Sequence, residues 1–303
     1  MIQIRRILCP IDFSEFSRRA LEQAVAVARW YDGEITLLHV APFVPSVVTS
    51  TFPPGVSPLM LEPMRHDAVL EELRRFAQPA AAAGLRFDAV VRDGSAVAEV
   101  LDLARTLPAD LLVMGTHGRG GFDRLVLGSV AEKVLRKACC PVLTVPPPAE
   151  GVPAGVAPLF GRILCAVDFS TSSTKALDYA LSLAREAQAS LTVLHVVEWF
   201  PDDEERERRH FDVPGYRRHL EEKARERLRA AIPEEARLWC EPHEVLAVGN
   251  PRQEIVRAAR EANAGLIVMG VRGRGAVDLM LFGSTTHHVI REAHRPVLTV
   301  RGR

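Results

Sequence analysis

Apolar positions along this chain fall into two kinds of block that alternate. Short β-branched runs at Ile4–Ile11, Glu34–Val40, Arg86–Arg92, Asp110–Met114 and Val142–Val145 predict strands, the first buried on both faces. Between them the apolar residues recur at helical spacing. That pattern predicts amphipathic helices over Arg18–Tyr31, Met64–Ala83, Ala96–Thr106 and Ser129–Lys137. Ser14 and Ser17 are candidate caps for the first helix, Asp32-Gly33 stops it, and Gly84 closes the second. Strands alternating with helices imply right-handed βαβ crossovers and a parallel sheet covered on both faces, an α/β architecture.

The same alternation begins again in the second half, with Leu191–Val196, Leu266–Met269 and Val297–Val300 as its clearest strands. The recurrence is literal. Arg6-Ile7-Leu8-Cys9 returns as Arg162-Ile163-Leu164-Cys165, Asp12-Phe13-Ser14 as Asp168-Phe169-Ser170, and Leu38-His39-Val40 as Leu194-His195-Val196, each offset by 156 residues. Val113-Met114-Gly115 returns as Val268-Met269-Gly270, and Pro141-Val142-Leu143-Thr144-Val145 as Pro296-Val297-Leu298-Thr299-Val300, offset by 155. Two copies of one domain are therefore expected in tandem. The copies span 1–147 and 161–303, joined by a Pro/Gly-rich linker at 148–160.

Length agrees with two domains, at 303 residues. Formal net charge is zero, from 38 basic and 38 acidic residues. That balance gives no electrostatic footprint for nucleic acid or an anionic membrane. No window approaches the apolar length of a membrane span. The amino terminus, MIQIRRILCPIDFS, reads as a strand and not as a signal peptide. The five cysteines include no C-x-x-C pair, which argues against a disulfide framework or a zinc site. Cys9 and Cys165 read as small core residues. A cytoplasmic protein is expected.

Candidate chemistry sits after the fourth strand of each copy. The first copy has Gly115, Gly118, nine residues, then Gly128-Ser129; the second has Gly270, Gly273, nine residues, then Gly283-Ser284. Glycines let a backbone approach a ligand and offer bare N–H groups. Gly128-Ser129 and Gly283-Ser284 each open a helix, whose free amides and dipole favour phosphate, and the serine hydroxyl adds a donor. The loop leaves the carboxyl end of a parallel strand, where open α/β sheets bind ligands. No lysine precedes either serine, so this is not a Walker A loop. A dinucleotide fingerprint would follow the first strand, not the fourth.

With "ILCPIDFS", "ILCAVDFS" and "MGTHGRGGFDRLVLGSVAEKVLRKACCPVLTV", the chain resembles a tandem universal stress protein, of the ATP-binding branch, over nearly its whole length. The resemblance implies two open doubly wound five-stranded parallel-sheet domains of strand order 3-2-1-4-5. It implies ATP, alone or with Mg²⁺ or Mn²⁺, held at Pro10, Ile11, Asp12, Val40, Met114, Gly115, Gly118, Gly128, Ser129 and Val130. In the second copy it implies Ala166, Val167, Asp168, Val196, Met269, Gly270, Gly273, Gly283, Ser284 and Thr285. It also implies that Asp12 and Gly115 flank one crevice at a switch point between strands one and four. The fifth strands, Val142–Val145 and Val297–Val300, are apolar edges that need cover. The resemblance implies that they pair within the chain as a pseudo-dimer; association of whole chains into a homodimer stays open.

The plainer readings stand beside these. Asp12 and Asp168 at strand ends also fit turn caps, and His39 and His195 read as structural histidines. His117, Arg119 and Arg274 fit either phosphate contacts or solvated loop positions. His287-His288 reads as helix surface. Pro42–Pro63 is long and proline-rich for a loop in a compact domain and is expected to cover the first site or meet another subunit. The function expected is a stress-response regulator that binds adenine nucleotide with little or no hydrolysis and signals to an unidentified protein partner. A slow ATPase or phosphotransferase, and a scaffold without nucleotide, are the competing classes.

Overall fold

The computed structural model describes residues 2–42, 58–118, 127–147, 160–198, 213–271 and 283–302, with backbone alone at 58–65 and 213–214. They form two compact units. The first runs β1 (Arg6–Pro10), α1 (Glu15–Tyr31), β2 (Glu34–Ala41), α2 (Pro58–Phe76), α3 (Gln78–Ala82), β3 (Phe87–Asp93), α4 (Ala96–Thr106), β4 (Leu111–Gly115), α5 (Ser129–Lys137) and β5 (Val142–Val145). The second runs β6 (Arg162–Ala166), α6 (Thr171–Glu186), β7 (Ser190–Glu198), α7 (Val213–Ala231), α8 (Glu234–Arg237), β8 (His243–Gly249), α9 (Pro251–Glu261), β9 (Leu266–Gly270), α10 (Ser284–Glu292) and β10 (Val297–Val300).

In the first unit the strands lie in the order β3-β2-β1-β4-β5, and in the second β8-β7-β6-β9-β10. Both are the expected 3-2-1-4-5 arrangement. All pairings within each unit are parallel, with Ile7 opposite both Ile35 and Leu111, and Ile163 opposite both Leu191 and Leu266. The central strands are covered on both faces, so Ile7, Leu8 and Cys9 are fully buried, as are Leu164 and Cys165. A strand buried on both sides loses the polar alternation of a half-exposed one, which explains its unbroken apolar sequence.

Several boundaries move. The first helix begins at Glu15, not Arg18: Ser14 is its N-cap and accepts from the Ser17 amide. Ser17 is no cap but a buried first-turn residue whose hydroxyl donates to the Ser14 carbonyl. The helix expected over Met64–Ala83 is two pieces. It starts earlier, at Pro58, where a missing N–H costs nothing. It breaks before Pro79, which cannot donate to the ladder, and restarts as α3. Leu73, Phe76, Ala77 and Ala80 bury against the unit across that break. The long loop expected over Pro42–Pro63 therefore ends at α2, and its residues 43–57 lie outside the described residues. Strand ends differ from expectation by at most two residues, as fraying ends do.

Candidate functional site

The order of each sheet reverses between its first and fourth strands, leaving a crevice at their carboxyl ends. The chain reaches that crevice from β1 through Ile11, whose amide still donates to the Leu38 carbonyl. Asp12 follows and turns back on itself. Its Oδ1 accepts from the Ser14 amide at 3.0 Å and the Ser14 hydroxyl at 2.5 Å, an Asx-type turn. Phe13 between them has φ of 62°, a left-handed angle uncommon for a bulky L-residue. Its ring lies 4.7 Å from the His39 ring and meets Phe76 edge-on at 5.7 Å. His39 Nδ1 in turn donates to the Ile11 carbonyl at 2.8 Å.

The second unit repeats the aspartate turn and its histidine tie. Asp168 Oδ1 accepts from the Ser170 amide at 3.0 Å and hydroxyl at 2.6 Å. Phe169 has φ of 62°, and its ring lies 4.4 Å from His195, which donates to Val167 at 2.7 Å. The Arg227 guanidinium lies over the Phe169 ring, 4.3 Å from its centroid. His39 and His195 are thus structural: each ties the second strand to the turn that carries the aspartate. Sequence reasoning missed the left-handed phenylalanines and the role of Ser14 and Ser170 as carboxylate anchors. The recurring Asp-Phe-Ser was their signal.

The loop after β4 supplies the other wall. The Thr116 amide donates to Val145, and the Gly128 amide donates to the Thr116 carbonyl at 2.8 Å, pinning the start of α5 to the end of β4. Gly128 is the N-cap, and no side chain caps the helix. A Cβ on Gly128 would stand 2.9 Å from the Thr116 carbonyl oxygen, and one on Gly118 would stand 2.7 Å from Asp12 Oδ2. Gly118 therefore lies directly against the aspartate, and only hydrogen fits between them. The structure brings together Asp12, Gly115, Gly118, Gly128 and Ser129 around the open amide end of α5. Ser129 and Val130 form its first turn. Pro10 and Ile11 enter the same edge from β1, and Val40 stands on it one strand away. Met114 is buried beneath.

In the second unit the Val271 amide donates to Val300, and Gly283 to Val271 at 3.1 Å. Gly283 caps α10 without a side chain, and Ser284 and Thr285 form the first turn. Thr286, not anticipated, is buried there and donates to the Gly270 carbonyl at 3.0 Å. Ala166 and Val167 lead to Asp168, Val196 stands on the neighbouring strand, and Met269 lies beneath. Gly273, Arg119 and Arg274 fall outside the described residues.

The two crevices are not the same. The first has Phe16 and His117 with ring centroids 5.6 Å apart. His117 Nδ1 lies 2.9 Å from the Thr116 hydroxyl, while its Nε2 is buried without a hydrogen-bond partner among the described residues. Ser172 and Val271 take the places of Phe16 and Thr116 in the second, where Ser172 Oγ accepts from the Gly302 amide at 3.0 Å. Among the described residues, no group of three or more His, Cys, Asp or Glu side chains is placed to hold a metal ion, and no helix is long and apolar enough to cross a membrane.

The pattern of the universal stress protein family matches this sequence twice, at residues 3–146 and 159–301. A universal stress protein of Mycobacterium tuberculosis is 28% identical over 304 residues, covering 97% of this chain and 96% of the relative. A shorter one from Methanocaldococcus jannaschii is 32% identical over 146 residues, 48% of this chain and 84% of its own length. The crystal structure of a universal stress protein from Archaeoglobus fulgidus is similar over 100% of both chains, with a TM-score of 0.70 and 28% identity.

Proposed function

This chain belongs to the universal stress protein family, as two tandem copies of its domain, and from that premise we propose that each copy is an adenine-nucleotide site and that the chain regulates by binding rather than turnover. The observation that carries this reading is the contact of Asp12 Oδ2 with the Gly118 position beneath the uncapped end of α5. A carboxylate suits the hydroxyls and amino group of a nucleoside, and an open helix amino end suits phosphate. The two stand side by side at a switch-point crevice, and the cradle at Gly118 has room for backbone only.

In this reading the amides of Ser129 and Val130 and the Ser129 hydroxyl take phosphate oxygens. Asp12, the backbone at Pro10–Ile11 and Val40 take the adenosine. Ser284, Thr285, Asp168, Ala166–Val167 and Val196 do so in the second unit. ATP is the expected ligand, and an accompanying Mg²⁺ or Mn²⁺ would be carried chiefly by the phosphates. Phosphoryl transfer also needs charge neutralisation and a positioned nucleophile, and no lysine stands before Ser129 or Ser284. Little or no hydrolysis follows, in a cytoplasmic protein whose signal passes to a protein partner.

Calorimetric titration of the whole chain with ATP tests this. Saturable binding is expected, and Gly118→Val should lower affinity at the first site at least tenfold while sparing the second, because the new Cβ displaces Asp12. Absence of saturation below about millimolar ATP sinks the proposal. Sustained release of phosphate by the wild-type chain, lost in Asp12→Ala, would favour the enzyme instead.

We further propose that the Val-Leu-Thr-Val strands β5 and β10 pair with each other, since each is the apolar edge of its own sheet and an open edge invites a partner.

A further inference from the structure

The first unit carries two adjacent cysteines that the proposed nucleotide site does not use. Cys139 and Cys140 form the bend between α5 and β5, at the end of α5 opposite its phosphate-facing turn. Both are free thiols; Cys139 is exposed and Cys140 is 8% exposed. The two side chains belong to neighbouring residues, and Cys139 is among the groups that raise the Cys140 thiol. The fold does not require the pair. The equivalent bend of the second unit reads His294-Arg295 before the same proline, and the elements on either side are unchanged.

Adjacency decides what two such thiols can do. Neighbouring Cα atoms stand about 3.8 Å apart across a trans peptide, short of the roughly 4.4–6.8 Å that an unstrained disulfide spans. A direct S–S bond is therefore disfavoured. An atom inserted between the sulfurs lengthens the bridge and removes that strain. Soft thiolate ligands select soft centres. A linear two-coordinate ion needs sulfurs on opposite sides of it, an arrangement that the short span between neighbouring residues disfavours. Pyramidal trivalent arsenic takes two sulfurs on one side and needs no third protein ligand.

We propose that Cys139–Cys140 is a bidentate site for a trivalent arsenical. The exposed Cys139 sulfur attacks arsenic first and one water leaves. Cys140 then closes the chelate as its S–H proton departs with the second hydroxyl as water. In balance, R–As(OH)₂ and two thiols give R–As(S-Cys)₂ and two waters, and arsenic stays trivalent throughout. Burial holds the Cys140 thiol protonated, its pKa pushed up to about 12, so it is a poor nucleophile alone. It becomes effective only when its neighbour delivers the electrophile at high local concentration.

The test uses the full chain, kept reduced, and phenylarsine oxide as the probe, read by intact mass and by counting thiols open to maleimide. One adduct is expected, formed with loss of two waters relative to the hydrated arsenical. It should be reversed by ethanedithiol and resist a monothiol at the same concentration. Cys139→Ser, at an exposed position, should abolish capture at least tenfold. Cys140→Ala, with its circular dichroism shown unchanged, should leave an adduct that a monothiol strips. Capture persisting in Cys139→Ser, an adduct on one thiol in the native chain, or equal resistance to monothiol in Cys140→Ala would each overturn the proposal.

Discussion

At the residue scale the site is held by a strained phenylalanine and a short serine bridge, and each has a measurable cost when removed. Phe13 keeps φ of 62° because the His39 and Phe76 rings fix its side chain. Phe13→Val should destabilise the chain by about 2–3 kcal/mol, combining lost ring contact with a β-branched residue in left-handed space. Phe13→Asn should cost less, since asparagine tolerates that conformation; urea midpoints for the two variants check the order. Ser14→Ala removes both the α1 cap and one bond to Asp12. It should cost about 1 kcal/mol of stability and also weaken ATP at the first site. Asp12, Gly118 and Ser129 were legible because repetition marked them. The angle at Phe13 was not, because it comes from rings brought over it by β2 and α3's neighbour α2. Thr286 was hidden too, since its counterpart in the first copy is Ala131.

At the element scale the central strands carry thiols that resist ionisation. Burial alone raises the Cys9 thiol and leads the rise at Cys165, and Cys140 is pushed to about 12 from an ordinary 9.0. The folded state thus keeps protons that the unfolded chain sheds. The stability this gives is full below pH about 9, the ordinary thiol value, and is lost as pH climbs toward the folded values. Denaturant midpoints taken from pH 8 to 11 should fall with pH, and Cys9→Ala should flatten that slope; an unchanged slope refutes the assignment. The strands themselves read plainly from sequence, since a double-sided burial leaves an unbroken apolar run. The second helix did not. Its apolar spacing runs straight through Ala77, and only the missing N–H of Pro79 divides it into α2 and α3.

At the scale of the whole molecule, duplication was the most legible feature and the inequality of its copies the least. Offsets of 156 and 155 residues reveal two domains directly. The consequence of exchanging Phe16 for Ser172 and Thr116 for Val271 emerges only where those residues are seen at the crevice. The proposed pairing of β5 with β10 has its own test: residues 1–147 and 161–303, expressed together as separate chains, should co-purify. A charged pair of substitutions, Leu143→Lys with Leu298→Lys, should part them; halves that never associate would refute it. One crevice with an aromatic lip and another with a serine are expected to fill at different nucleotide levels. Under the proposed function, the isotherm of such a chain would rise in two steps and spread over more decades than a single site allows. A duplicated gene that keeps two matched cradles only doubles its signal, whereas one that lets a lip residue drift gains dynamic range, a graded reading of nucleotide level from a single polypeptide.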